Sequence, residues 1–250
     1  MPLNKEFVGC ASSNFRSGRP APNRPEAIVI HIMAGSLRGT DLWFGNPASS
    51  VSAHYGVGKD GTVHQYVREE DTAFHAGTVD RPLWTSIKKT AAGTFVNPNY
   101  YTIGIEHEGF PDDDWTAAMQ ASSVALIAEI SARWQIPIDR DHIVRHHEIR
   151  LAKPCPGSKA PMDDLVRLAS AAPVAPPALT QVTAISNLNV RAGVPSTAAP
   201  VRRVVTAGTV LPVAGFTATG QVVANNPFWY QDPAGDYFWA GNTNRPNPAT

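Results

Sequence analysis

Eight histidines stand at positions 31, 54, 64, 75, 107, 142, 146 and 147, and none follows. A histidine surplus confined to one part of a chain points to metal or acid–base chemistry. The segment Arg145-His146-His147-Glu148-Ile149-Arg150-Leu151-Ala152-Lys153-Pro154-Cys155-Pro156-Gly157 joins two adjacent histidines to a cysteine set between prolines. On an extended backbone adjacent side chains point to opposite sides. One of His146 and His147 is therefore expected to share a site with Cys155. His31 lies inside the apolar run Ala27–Met33, with Ile30 and Ile32 pointing the other way. Taken alone it reads as a hydrogen-bonded core histidine. Taken with Cys155 and one of the paired histidines, it would complete a mixed nitrogen and sulfur set. Zinc suits such ligands, and three of them leave a fourth tetrahedral position open for water or substrate. Cys155 otherwise reads as a small buried hydrophobe.

The elements that must position these groups alternate in type. Ala27–Met33 is β-branched, bounded by Pro25 and Gly35, and reads as a buried strand. Residues 52–58 and 62–67 flank Lys59-Asp60-Gly61, a hairpin signal. Tyr101–Glu106 reads as another strand. Trp115–Trp134 reads as a helix, with Met119, Leu126, Ile127, Ile130 and Trp134 on one face. Asp112, Asp113 and Asp114 are expected at its cap and first turn. A second helix is expected over 163–169. The mixture predicts an α/β fold with a mixed central sheet flanked by helices.

Gly and Pro together make up about one residue in six. Part of that surplus falls in 169–179, ASAAPVAPPAL, which reads as a semi-rigid spacer. We expect three parts: a first domain over 1–168, a Pro/Ala-rich linker over 169–181, and a second domain over 182–250. The last part holds β-type runs at 182–190, 201–205, 209–213, 221–224, 228–231 and 237–240, separated by Gly, Pro, Asn and Asp. Such spacing suggests a small all-β barrel.

Five ordered motifs carry a resemblance over residues 10–168: IVIHIMAG at 28–35, SAHYGVGKDGTVHQYV at 52–67, AFHAG at 73–77, IGIEHEG at 103–109 and VRHHEIRLAKPCPG at 144–157. This region resembles the zinc-dependent N-acetylmuramoyl-L-alanine amidases of the amidase-2 type, relatives of peptidoglycan recognition proteins and phage T7 lysozyme. The resemblance implies that fold, and zinc held by His31, His146 and Cys155. Arg145 stands where the family usually has glycine before its second ligand. The resemblance further implies Glu106 as general base, with Glu108 on the same face by alternation, and Lys153 as the cation that stabilises the tetrahedral intermediate. His75 is expected either to line the substrate groove or to brace its loop. His54, His64 and His107 are expected to be structural. The implied reaction is zinc-assisted hydrolysis of the amide between N-acetylmuramic acid and the L-alanine of the stem peptide. Residues 182–243 resemble bacterial SH3-like (SH3b) domains, through Asn187–Ser196, Gly208–Val213, Phe228–Tyr230 and Phe238–Gly241. That resemblance implies wall binding.

Charge narrows the partners. The chain has 21 basic and 21 acidic residues, so it lacks the basic excess of a nucleic-acid binder. No run approaches a membrane span, and no apolar signal-peptide core is visible at the N-terminus. The expected partners are peptidoglycan or muropeptides, with action at the cell wall, or in the cytoplasm for a muropeptide-recycling enzyme. Nothing in the sequence fixes an oligomeric state. Two rival readings stand: a non-catalytic peptidoglycan-recognition protein, and a thiol amidase using Cys10 or Cys155 as nucleophile.

Overall fold

The computed structural model describes residues 3, 5–172, 180–217 and 219–246. The chain forms two compact units, Met1–Val174 and Ala175–Thr250.

The strands of the first unit are β1 (Lys5–Phe7), β2 (Phe15–Arg16), β3 (Ala27–Ile32), β4 (Tyr55–Val57), β5 (Val63–Gln65), β6 (Thr72–Ala73), β7 (Thr102–His107) and β8 (Ile143–Arg145). Its helices are α1 (Leu37–Gly45), α2 (Ala117–Trp134), α3 (His146–Ile149) and α4 (Met162–Ala171). Six strands form one sheet in the order β1-β5-β4-β7-β3-β8. All its pairings are parallel except β4 with β5. That pair is the hairpin turning at Lys59-Asp60-Gly61, where Gly61 takes a φ of +87° and Asp60 Oδ1 accepts from the Thr62 N–H.

Side-chain alternation gives the sheet two lined faces. Ile28, Ile30, Ile103 and Ile105 pack against Met119, Leu126, Ile127 and Ile130 of α2 and Leu165 of α4. Ala27 and Val29 face the other way, into a cluster with Trp84, Tyr101 and Ile149. The same alternation sends His31 to that second face.

The expected helix 115–134 starts later, at Ala117. Thr116 is its N-cap, its hydroxyl accepting from the Met119 N–H at 3.1 Å. The acidic run lies outside the helix and serves the surface: Asp113 pairs with Lys59 at 2.9 Å and Asp114 with Lys159 at 2.9 Å. α4 runs on through Ala171 because Ala169, Ser170 and Ala171 continue a helix as well as they start a spacer. Within the expected linker, 173–179 lies outside the described residues, and Gln181 already starts the first strand of the second unit. α1 was not expected. Gly39, Thr40 and Gly45 weaken its helical signature, and Ser36 starts it by accepting from the Gly39 N–H.

The second unit is β-rich: β9 (Gln181–Thr183), β10 (Leu188–Arg191), β11 (Val201–Val205), β12 (Val210–Pro212), β13 (Gly215–Thr217), β14 (Trp229–Gln231) and β15 (Tyr237–Trp239). They form a five-stranded sheet, β11-β10-β15-β14-β13, and a β12-β9 pair. The single run expected over 182–190 is two strands in different sheets. The run 221–224 is not a strand, because Ala224 and Asn225 take positive φ and turn the chain. Val182, Leu188, Val190, Leu211, Tyr230 and Phe238 make its core.

Candidate metal centre

β3 and β7 run parallel, and their register sets His31 beside Glu106. Both side chains therefore leave the sheet on one face, near the carboxyl ends of the strands, where parallel sheets gather ligands. His31 is almost wholly buried.

The other groups come from 145–157. The Arg145 N–H donates to Glu148 Oε2 at 2.6 Å, which starts α3 directly at His146. The two histidines thus diverge by the helical step of about 100° rather than by the extended alternation expected from sequence. His146 packs its ring against that of His31, with centroids 4.6 Å apart. His147 turns to the loop: its N–H donates to Cys155 O at 2.8 Å and its Nδ1 lies 2.8 Å from Lys153 O. One histidine enters the site and the other holds the loop that carries Lys153 and Cys155. That loop is seated tightly, since a Cβ on Gly157 would fall 2.0 Å from Pro111 O.

One ligand atom each from His31, His146 and Cys155 lies within 4.8 Å of the others. His31 Nδ1 is 3.7 Å from Cys155 Sγ, near the about 3.6 Å edge that zinc–nitrogen and zinc–sulfur bond lengths give a tetrahedral site. The Ile32 N–H donates to Cys155 Sγ at 3.3 Å, which favours the thiolate a metal needs. Glu106 Oε1 is 3.9 Å from His31 Nδ1, while Glu106 Oε2 is buried with no hydrogen-bond partner. An orphaned carboxylate oxygen beside three converging N and S donors fits a cationic centre with a water next to it. The donor set is right for a divalent metal of the zinc type.

The rest of the His31 ring is also accounted for. With Nδ1 directed at the cluster, Nε2 carries the proton and donates to His75 Nδ1 at 3.0 Å. His75 Nε2 then donates to Thr102 Oγ1 at 3.3 Å, and that hydroxyl donates to Pro98 O at 2.7 Å. The chain fixes one tautomer from end to end. Gly104 makes room for it, since a Cβ there would lie 2.6 Å from the His75 ring. His75 does line the cavity, but both its ring nitrogens are engaged by protein. Thr102 and Gly104 escaped the sequence reading; a glycine inside a buried strand was their one available signal.

Burial sets the electrostatics. It lowers the His31 imidazole well below its ordinary range and takes His146 down to about 4 and His75 to about 3, so all three are neutral. It raises Glu106 to about 8, against the pull of Lys153. It also pushes Cys155 far above the usual thiol range and Cys10 up to about 11. Neither thiol is activated as a free nucleophile. Lys153 is exposed, yet its charge reaches His31, Glu106, His146 and Cys155 alike. His31, Glu106, His146, Lys153 and Cys155 border one cavity of about 400 Å³.

The remaining sequence candidates serve the frame. His54 Nδ1 accepts from the Gly104 N–H at 3.1 Å. His64 pairs with Asp41 at 2.9 Å. His107 bridges His31 O and Ser123 Oγ, each at 2.9 Å, and ties β7 to α2. Glu108 accepts from the Lys59 N–H at 2.7 Å, on the hairpin turn rather than in the site.

The family model described as N-acetylmuramoyl-L-alanine amidase matches residues 21–158. N-acetylmuramoyl-L-alanine amidase A of Achromobacter lyticus is 40% identical over 126 residues, which are 49% of this chain and 59% of that protein. The chain thus spans about three fifths of that curated relative's length. Among solved structures, a selenomethionine derivative of AmpD covers 67% of this chain and 96% of its own, at 21% identity and a TM-score of 0.53. A point variant of PlyL covers 69% of this chain and 100% of its own, at 15% identity and a TM-score of 0.50. These two show a shared fold.

Proposed function

The chain belongs to the N-acetylmuramoyl-L-alanine amidase family, and on that premise we propose that it is a zinc-dependent peptidoglycan hydrolase. The bond cut joins N-acetylmuramic acid to the L-alanine of the stem peptide. The observation that carries this reading is the convergence of His31, His146 and Cys155 beside the orphaned Glu106 Oε2.

His31, His146 and Cys155 would hold the metal. Zinc bound there supplies Lewis-acid polarisation of the scissile carbonyl and lowers the pKa of water toward about 7. Glu106 takes the proton of the attacking water on Oε2 and returns it to the departing amine. Its pKa of about 8 with no metal charge nearby falls as a cation approaches, toward the range where both steps work. Lys153 faces the negative charge that develops on the carbonyl oxygen. His75 holds the His31 ring rather than the substrate.

The β-rich second unit is read as an SH3-like module that keeps the enzyme on the wall, which its sequence motifs support. This makes the cell wall the site of action, with peptidoglycan as partner. No helix among the described residues is long and apolar enough to cross a membrane.

The test is mass spectrometry of the products from intact sacculi and from soluble muropeptides, with and without chelator. Release of intact stem peptides beginning with a free L-alanine amine is expected, lost on chelation and restored by zinc. Cleavage that survives complete metal removal would overturn the zinc reading.

A further inference from the structure

One short turn, 97–102, holds the support of His31 from two directions. Thr102 Oγ1 takes the ring of His75 at 3.3 Å. Asn99, a buried residue, takes the backbone. Its carboxamide Oδ1 accepts from the His75 N–H at 3.1 Å and from the Ala76 N–H at 2.7 Å. Buried backbone N–H groups have to be paired, and here one side chain pairs two in succession. Gly77 leaves room for it, since a Cβ there would lie 2.9 Å from Asn99 Nδ2. The turn is itself anchored. The Asn99 N–H donates to Asn97 Oδ1 at 3.0 Å. The half-buried Arg19 guanidinium donates to Asn99 O at 3.1 Å, Tyr100 O at 3.0 Å and Thr102 O at 3.2 Å. From Thr102 onward, β7 is held by its parallel pairing with β3. The turn therefore has anchors that do not depend on the Asn99 side chain.

We propose that Asn99 is a positioning residue for the metal centre, acting through His75. The assignment rests on the zinc reading. His75 has to present Nδ1 to His31 Nε2 at 3.0 Å, and a ring is only as well placed as the backbone that carries it. The contact with Thr102 alone leaves the His75 ring free to pivot about one hydrogen bond. Two main-chain N–H bonds to Asn99 remove that pivot. Without them His75 drifts from His31, and His31 loses the partner that sets its tautomer and the direction of its ligand nitrogen.

The full chain is titrated with zinc against a chromogenic chelator, and with cobalt(II) as a spectroscopic probe of the ligand geometry. Asn99→Leu removes the acceptor at nearly constant volume. Its zinc affinity is expected to fall by about tenfold, the lower end of the range for a residue behind a metal ligand, with a shifted cobalt ligand-field band. Asn99→Asp keeps the acceptor and is expected to retain wild-type affinity. The same Asn99→Leu substitution is then made in the His75→Phe background. A residue that acts through His75 has nothing left to act on there, so its effect on zinc affinity is expected to vanish. Melting temperatures of the metal-free variants are recorded alongside. A purely structural Asn99 would lower those and leave the zinc affinity and the cobalt band of the folded protein unmoved. Should Asn99→Leu fail to fold, Asn99→Ala carries the same cycle. Unchanged affinity in Asn99→Leu, equal losses in Asn99→Leu and Asn99→Asp, or a loss of the same size with and without His75 overturns this assignment alone. Wild type that binds no zinc overturns the zinc reading, and this assignment with it.

Discussion

His75 Nδ1 lies 3.0 Å from His31 Nε2, the nitrogen on the far side of the ring from Cys155. A histidine that lines the cavity is thereby turned into a support for the ligand beside it. Its other nitrogen is spent on Thr102.

The first prediction follows from that contact. His75→Phe keeps the ring volume and removes the acceptor, so His31 loses its enforced tautomer. Zinc affinity, read by competition with a chromogenic chelator, is expected to fall 10- to 100-fold. Unchanged affinity would show the contact to be incidental.

Glu106→Gln is expected to separate binding from chemistry. The amide is isosteric and lies 3.9 Å or more from the His31 ligand atom, so zinc content should hold. As a base it is worthless, and kcat is expected to drop by at least 10²-fold. A variant that keeps more than a tenth of wild-type kcat would remove Glu106 from the mechanism.

Buried neutral histidines make the metal-free fold sensitive to mild acid. Burial takes His107 down to about 4 and holds His54 well below 6.5, the latter helped by Arg19. In the unfolded chain each imidazole binds a proton near pH 6.5. The unfolded state therefore takes up protons that the fold refuses, and stability is complete above pH 6.5 and falls as pH drops toward 4. His107 alone accounts for about 2 kcal/mol by pH 5. Denaturant melts of chelated protein at pH 7 and pH 5 measure this, and His107→Gln should flatten the dependence. Equal midpoints for wild type would contradict it.

A fourth prediction concerns the sheet's far end. Glu69 is buried and accepts from Tyr55 Oη at 2.6 Å, and also from Arg133 and the Trp134 indole N–H. Glu69→Ala strands three donors, one of them charged. It is expected to cost about 3–5 kcal/mol in unfolding free energy while leaving metal affinity unchanged. A loss below 1 kcal/mol would mean that water replaces the carboxylate.

The sequence made some of this legible and concealed the rest for physical reasons. Alternation along 27–33 placed His31 on its own face, and the period of 115–134 found Met119, Leu126, Ile127 and Ile130 but passed over the small buried residues Ser123, Ala128 and Ser131. The paired histidines were harder. Arg145 cannot cap a helix with its own side chain, so the cap formed by Glu148 reaching back to a backbone N–H left no Ser or Thr signature. α1 was hidden by its glycines, and with it the exposed Trp43. The His31–His75–Thr102 chain joins three segments whose contact depends on tertiary packing, which no local pattern encodes. In the second unit, turn residues Ala224 and Asn225 interrupt what reads as a strand, because alanine gives no warning of a positive φ.

Gly104 has a consequence for engineering. By strand propensity alone it is the weakest position in β7, and a consensus-minded redesign would fill it with valine. A side chain there would displace the His75 ring, and the loss would surface two contacts away, as a site that holds its metal less tightly. Here the volume that a strand wants and the volume that a ligand's support wants are the same few cubic ångströms.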